Sequence, residues 1–291
     1  MNYRTLSLFA LCLLFLCSQA DARPGKLPLL YRITKPSTTD TSYLFGTLHL
    51  LESSYVDTMP RVMAALDRAD VVIGEIVLDS TVMGDVLSEM MSGPPLDSIL
   101  SEKDYHLVSK EVSRLAHLPM MFLNRVSPIM IYGLLLQTIY QEAHPENHKT
   151  GVAMDLYFQQ KAKDAGKRVV GLELASDQAS LLADSLPTED QVAELLDLVK
   201  HEKKTVRGLE KMLRNYQTGH IQKILDDPTM GSLSDEQGEA LIYERNRKWL
   251  DELPTLIEHH NAFIAVGAGH LVGKNGLVEG LRKLGYTVAG L

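Results

Sequence analysis

Tyr43-Leu44-Phe45-Gly46-Thr47-Leu48-His49 and Val71-Val72-Ile73-Gly74-Glu75, with Met59 to Asp70 between them, decide the reading of this chain. Each flanking stretch is a short apolar run halted by glycine, the pattern of a buried strand ending in a tight turn. Between them Val62, Ala65, Leu66 and Ala69 recur at helical spacing, and Pro60 stands near the first turn. Tyr43 to Val77 is therefore expected to form a strand, a crossover helix and a second strand. Strands joined in this way lie parallel, so both carboxyl ends reach one edge of a sheet, where His49 and Glu75 can meet.

The same pattern recurs further along. Arg168-Val169-Val170 runs into Gly171-Leu172-Glu173, and Ala262-Phe263-Ile264-Ala265-Val266 runs into Gly267-Ala268-Gly269-His270-Leu271. A last strand is expected at Tyr286-Thr287-Val288, after a helix from Gly276 to Leu284. Met154 to Ala165 reads as a helix closed by Gly166. Thr188 to Leu213 and Glu236 to Ile257 read as long amphipathic helices, the second opening near Ser234 with Gln237 three residues on, a capping-box spacing. Val82 to Leu186 is mostly helical in pattern, with Pro94-Pro95, Pro119, Pro128 and His144-Pro145 as breakers. The expected architecture is α/β: a central sheet of strand-helix-strand units, two halves that repeat a motif, and a helical middle insertion or lid.

Residues 1–22 read as a signal peptide. Arg4 supplies the positive charge, Leu6 to Leu16 is an almost unbroken apolar run, and Ala20-Asp21-Ala22 offers small residues for cleavage. That run is too short to span a bilayer, which needs about 20 residues. Residues 23–41 are an extended lead-in and 42–291 the domain. Export to the periplasm or outside the cell is the expectation, with no membrane span after cleavage. Both cysteines, Cys12 and Cys17, fall in the leader. The remaining chain then has no thiol, which excludes cysteine nucleophiles, Cys-rich zinc sites and iron–sulfur clusters, so any metal must rest on His, Asp or Glu. A net charge of -8 with interspersed basic residues argues against nucleic acid and points to peptides or small molecules as partners.

Two Gly-x-x-His motifs carry the chemical signal: Phe45-Gly46-Thr47-Leu48-His49-Leu50 and Val266-Gly267-Ala268-Gly269-His270-Leu271. Each follows a buried strand. Glycine lets the backbone turn sharply there, and the histidine three residues later can face the crevice at the strand ends, where α/β sheets bind ligands. Glu75 and Glu173 arrive by the same route. Two imidazoles and two carboxylates make a donor set suited to Mn, Co, Fe or Zn. One Gly-x-x-His alone is a weak motif, and a lone histidine at a strand end is often a structural hydrogen-bonding group.

At these residues the chain resembles the TraB/GumN family, related to the Tiki proteases and more distantly to the erythromycin-esterase and ChaN-like fold. The resemblance spans Ser42 to Leu291. It rests on the two histidine motifs, Val72-Ile73-Gly74-Glu75, Gly151-Val152-Ala153-Met154-Asp155, Val169-Val170-Gly171-Leu172-Glu173 and Glu244-Arg245-Asn246. It implies a metal-dependent hydrolase, proteolytic in the Tiki branch, with His49, Glu75, Glu173 and His270 at its centre. The divalent metal (Mn, Co or Zn) would be held by His49, His270 and one glutamate. The assignment made here is Glu173 as ligand and Glu75 as general base, although sequence does not separate the two. Arg245 and Asn246 would complete the site, the guanidinium holding a substrate carboxylate or an oxyanion. For Asp155 the simpler reading is an acid in the first turn of a helix.

His201-Glu202 lacks a histidine at position 205, where Thr205 stands, so it is not a zinc-protease helix motif. His144 and His148 have helical spacing, but Pro145, Glu146 and Asn147 between them read as a turn. Two rival functions stay open: metal-free hydrolysis with a histidine activating water, and non-catalytic capture of a peptide, haem or metal by the same side chains.

Overall fold

The computed structural model describes residues 26–35, 40–77, 84, 88, 91, 93–145, 152–184, 186–226 and 238–291. The expected leader and cleavage site, His148, Gly151, and the Ser234 and Gln237 cap lie outside the described residues.

Six strands form one mixed sheet: β1 Leu30–Thr34, β2 Thr41–Thr47, β3 Val71–Gly74, β4 Arg168–Gly171, β5 Ala262–Gly267 and β6 Thr287–Gly290. Their order is β4-β3-β5-β2-β1-β6. β4, β3, β5 and β2 are parallel, and β1 pairs antiparallel with both β2 and β6. The expected strand-helix-strand unit is present, with α1 Pro60–Arg68 as its crossover. β2 and β3 are not neighbours, however. β5 lies between them, with Ile264 opposite both Leu44 and Ile73.

The near-continuous apolar runs of β2, β3 and β5 follow from burial on both faces. Leu44, Phe45, Val72, Ile73, Phe263 and Ile264 are wholly buried. Phe45 meets Phe158 edge-on at 5.6 Å, and Phe158 lies 5.0 Å from Phe263. Arrangements of this kind add roughly 0.5–1.5 kcal/mol per pair to the gain from burial.

α2 Glu102–Leu115 and α3 Pro128–Ala143 precede α4 Met154–Asp164, which packs on β3, β4 and β5 and supplies Phe158. α5 Ala175–Ala183, α6 Thr188–Lys200 and α7 Glu202–Gln217 then join α2 and α3 in a helical layer. Tyr216 of α7 ties that layer to the sheet by donating to the Gly46 carbonyl at 2.7 Å. A π-helical turn at Glu239–Tyr243 leads into α8 Glu244–Ile257, and α9 Leu277–Lys283 precedes β6. No helix among the described residues is long and apolar enough to cross a membrane.

Two expectations are corrected. The lead-in contains a strand: Leu30, Tyr31 and Ile33 are buried because β1 pairs on both sides, a gain that a five-residue run cannot announce by itself. The helix expected from Thr188 to Leu213 is two helices, divided at His201, whose backbone leaves the helical region at φ -130°, ψ 39°. His201 Nδ1 there lies 2.8 Å from Asp197 Oδ1.

Candidate active site

Because β2, β5, β3 and β4 are parallel and adjacent, their carboxyl ends deliver His49, His270, Glu75 and Glu173 to one edge, in that lateral order. Two glycines make the approach possible. A side chain at Gly46 would put its Cβ 3.0 Å from the Ala268 Cα, pushing away the 3-10 turn Ala268–Leu271 that carries His270. A Cβ at Gly267 would stand 3.2 Å from Glu75 Oε1, the same oxygen that accepts the Gly267 N–H at 2.7 Å.

Arg245, on the first turn of α8, is the centre of the cluster. Its Nε and Nη2 donate to the two oxygens of Glu173 at 3.1 and 2.5 Å, and Nη2 also donates to Glu75 Oε2 at 2.5 Å. Nη1 donates to the Leu241 carbonyl at 2.9 Å and reaches His270 Nε2 at 3.1 Å. The Leu241 carbonyl belongs to the π-helical turn, a distortion that often marks a functional position. A guanidinium has five N–H donors, and all five have partners here. The group also lies over the Trp249 ring, 4.7 Å from its centroid. Gln178 of α5 bridges the two glutamates, donating to Glu75 Oε2 and Glu173 Oε1 at 2.9 Å each.

Asn246, the next residue, orients His270. Its amide donates to the His270 and Asn275 carbonyls at 3.1 and 2.9 Å, which leaves Oδ1 to accept from His270 Nδ1 at 2.7 Å. Nδ1 therefore carries the proton, and the Nε2 lone pair faces Arg245 and, at 3.9 Å, Glu75 Oε1. Trp249 covers the imidazole at 4.4 Å.

His49 stands apart from this buried group. Its side chain is 67% exposed, and Nδ1 lies 2.7 Å from Asp155 Oδ2 on the first turn of α4. The carboxylate of Asp155 raises the imidazole pKa to about 9, an attraction that the water around the exposed ring screens in part. His270 moves the other way, down to about 4, chiefly because burial disfavours its cation; Glu75 opposes the shift, and the charges of Arg245 and His49 add to it. Burial opposes ionisation of Glu75 too. In the acid range where it would take up a proton, His270 is itself charged, and the positive charges of His270, His49 and Arg245, with the Gly267 N–H, hold it down to about 2. At neutral pH the site therefore holds an imidazolium at His49, a neutral His270 and an ionised Glu75 beside the Arg245 guanidinium.

The structure thus brings Glu75, Glu173, Arg245, Asn246 and His270 into one hydrogen-bonded group, with His49 held by Asp155 instead. Among the described residues no group of three His, Asp or Glu side chains is arranged to hold a metal ion. The point on which Glu75, Glu173 and His270 converge is taken by the guanidinium. The expectation that Arg245 offers donors to a substrate meets the fact that each donor is committed within the protein. Asp155, Gln178 and Trp249 gained no site role from sequence. Met154-Asp155, among the residues that carry the resemblance to the TraB/GumN family, was a signal for the first of them, whereas nothing local to Gln178 or Trp249 was.

Comparison with known proteins adds a second line of observation. A family model described as the TraB/PrgY/gumN family matches residues 29–289. The curated Metalloprotease TIKI2 of Danio rerio is 21% identical, over 94% of this chain and 62% of its own length. Metalloprotease TIKI1 of the same fish is 22% identical, over 85% of this chain and 60% of its own. A Metalloprotease TIKI homolog of Amphimedon queenslandica is 24% identical, over 84% and 58%. The chain spans about three-fifths of the length of these relatives.

Proposed function

The chain belongs to the TraB/PrgY/gumN family, and from that membership we propose that it is an extracytoplasmic hydrolase of peptide bonds. The relatives' names support the reaction class, and the leader-like residues 1–22 support export. The observation that carries the proposal is the one edge at the strand ends where the His49–Asp155 pair stands beside a charged cluster locked by Arg245.

In this reading His49 transfers the proton. Asp155 holds Nδ1, so Nε2 is the ring nitrogen left for a substrate. When water adds to the scissile carbonyl and the C–N bond breaks, the departing amine takes the proton of the imidazolium, whose pKa near 9 keeps it charged at neutral pH, and the proton given up by the added water returns to Nε2 and restores the ring. Glu75 has both oxygens engaged and little proton affinity. Its part is to fix Arg245 and the turn at Gly267. Asn246 and Arg245 hold His270 in one tautomer.

The word metalloprotease in the relatives' names implies a divalent metal, and Mn, Co or Zn would match imidazole and carboxylate donors. As placed, Glu173 and His270 do not fit such an ion, because Arg245 holds both; His49 alone keeps a free nitrogen, Nε2, since a carboxylate on the other ring nitrogen is what a metal-bound histidine ordinarily has. No step is therefore assigned to a metal.

The test is hydrolysis of a mixed peptide library, followed by mass spectrometry, with wild type and His49→Ala, each after chelation and after addition of Mn, Co or Zn. Cleavage by wild type that disappears in His49→Ala is expected. Binding of peptides without cleavage under every metal condition would replace the hydrolase by a capture protein.

A further inference from the structure

A cavity of about 1040 Å³ opens beside the reactive cluster. It lies at the same edge of the sheet. Leu30 of β1 and Phe45 of β2 are register partners on its wall, and Leu291 follows the end of β6. Leu271, next in the chain to His270, lines it as well. The turn Ala268–Leu271 therefore faces two ways, with His270 in the charged cluster and Leu271 in the cavity wall. Most ligand pockets measure roughly 300–1,000 Å³, so this one takes several side chains rather than one.

Its rim is cationic, although the whole chain is acidic at -8. Lys26, Arg61 and Arg282 all contribute. Arg282 is paired with Glu279 at 2.5 Å and also donates to the Val288 carbonyl. Lys26 and Arg61 are exposed and make no ion pair among the described residues. Arg61 sits in the first turn of α1, directly over an apolar wall that includes Met59 and Val62. An apolar trough with two uncommitted cations at its mouth matches a ligand that is apolar along its body and anionic at its end.

We propose that this cavity receives the apolar C-terminal residues of a peptide substrate, with the terminal carboxylate held by Arg61 and Lys26 while the bond to be cut lies at His49. The proposal rests on the peptidase reading. It adds a specificity: peptides ending in large apolar residues with a free carboxylate are preferred over their amides.

Binding can be measured apart from turnover. Dansyl-Leu-Phe-Leu as free acid and as amide, and dodecanoate as a competitor, are titrated against purified wild type, Arg61→Glu, Leu27→Glu and His49→Ala by fluorescence. Glutamate is well tolerated in the first turn of a helix, and Leu27 is partly exposed, so neither cavity variant threatens the fold. Expected are tighter binding of the acid than of the amide, and loss of that difference in Arg61→Glu, with a drop of about fivefold for the acid, the upper end for an exposed ion pair. Weaker binding of both is expected in Leu27→Glu, and the preference for acid over amide should persist in His49→Ala, whatever that variant's affinity. Equal binding of acid and amide by wild type, or an acid preference that survives Arg61→Glu, overturns the proposal. Binding of dodecanoate without the peptide overturns it too, in favour of a fatty-acyl ligand. Peptide binding with these signatures but no cleavage sinks the hydrolase reading and leaves the cavity assignment standing.

Discussion

His49 Nδ1 and Asp155 Oδ2 lie 2.7 Å apart across 106 residues of sequence, so a helix built far from β2 holds the one histidine of the site that faces solvent. This pairing changes what His49 can do. A bare histidine is mostly neutral at pH 7, whereas one beside a carboxylate keeps its proton and its orientation.

Asp155→Asn keeps the side chain's shape and removes its charge. The His49 pKa should fall from about 9 toward its ordinary value of 6.5, which an NMR titration of the ring reads directly. If His49 is the acid, peptide hydrolysis at pH 8 should fall by about 30-fold at most, the ratio of the protonated fractions at the two pKa values, with the alkaline limb of the pH–rate profile moving to lower pH. An unchanged alkaline limb would remove His49 from proton transfer.

Arg245→Met should be among the most destabilising substitutions in the chain. It leaves Glu75 and Glu173 buried or half-buried without their cation, and breaking such a group by removing one partner costs about 3–5 kcal/mol. Urea denaturation measures it. Arg245→Lys should recover part of the loss, since it restores charge but not the five-donor fork.

Asn246→Leu tests the orientation of His270. It orphans the His270 carbonyl and His270 Nδ1, and each buried polar group left unpaired costs about 1–3 kcal/mol. Nitrogen-15 shifts of His270 should change from a single tautomer to a mixture. A single tautomer surviving in the variant would show that Arg245 alone sets it.

Stability should decline on mild acidification. The folded His270 has a pKa near 4 against 6.5 for the unfolded chain, so between these values the unfolded state binds the extra proton and stability is lost as pH falls. Glu75, near 2 when folded against 4.5, contributes stability that is complete above pH 4.5 and lost as pH falls toward 2. His49 acts in the opposite direction, its contribution being complete below pH 6.5 and lost as pH rises through about 9. Thermal melts from pH 4 to 10 should therefore peak near neutrality, and His270→Gln should flatten the limb between pH 6.5 and 4. A curve unaltered by that substitution would count against a buried neutral histidine.

Much of the fold is legible in short stretches. Val71 to Gly74 and Ala262 to Gly267 declare themselves as buried strands because apolar runs halted by glycine are local patterns, and the strand-helix-strand unit from Tyr43 to Gly74 follows from them. Delivery of His49, Glu75, Glu173 and His270 to one edge follows as well, since parallel strands put like ends together. β1 escapes this reading, because its burial depends on partners at both flanks.

The state of each site group was decided only by the tertiary structure. Arg245 is 170 residues from Glu75 and 72 from Glu173, and nothing near any of the three announces that the guanidinium spends all its donors between them and His270. The exposure of His49, the burial of His270 and their opposite proton affinities likewise come from neighbours distant in sequence. Residue types and strand ends are local properties of the chain. Charge state and hydrogen-bond commitment are set by which groups share a volume from which water has been removed, and that volume exists only once the helices have closed over the sheet.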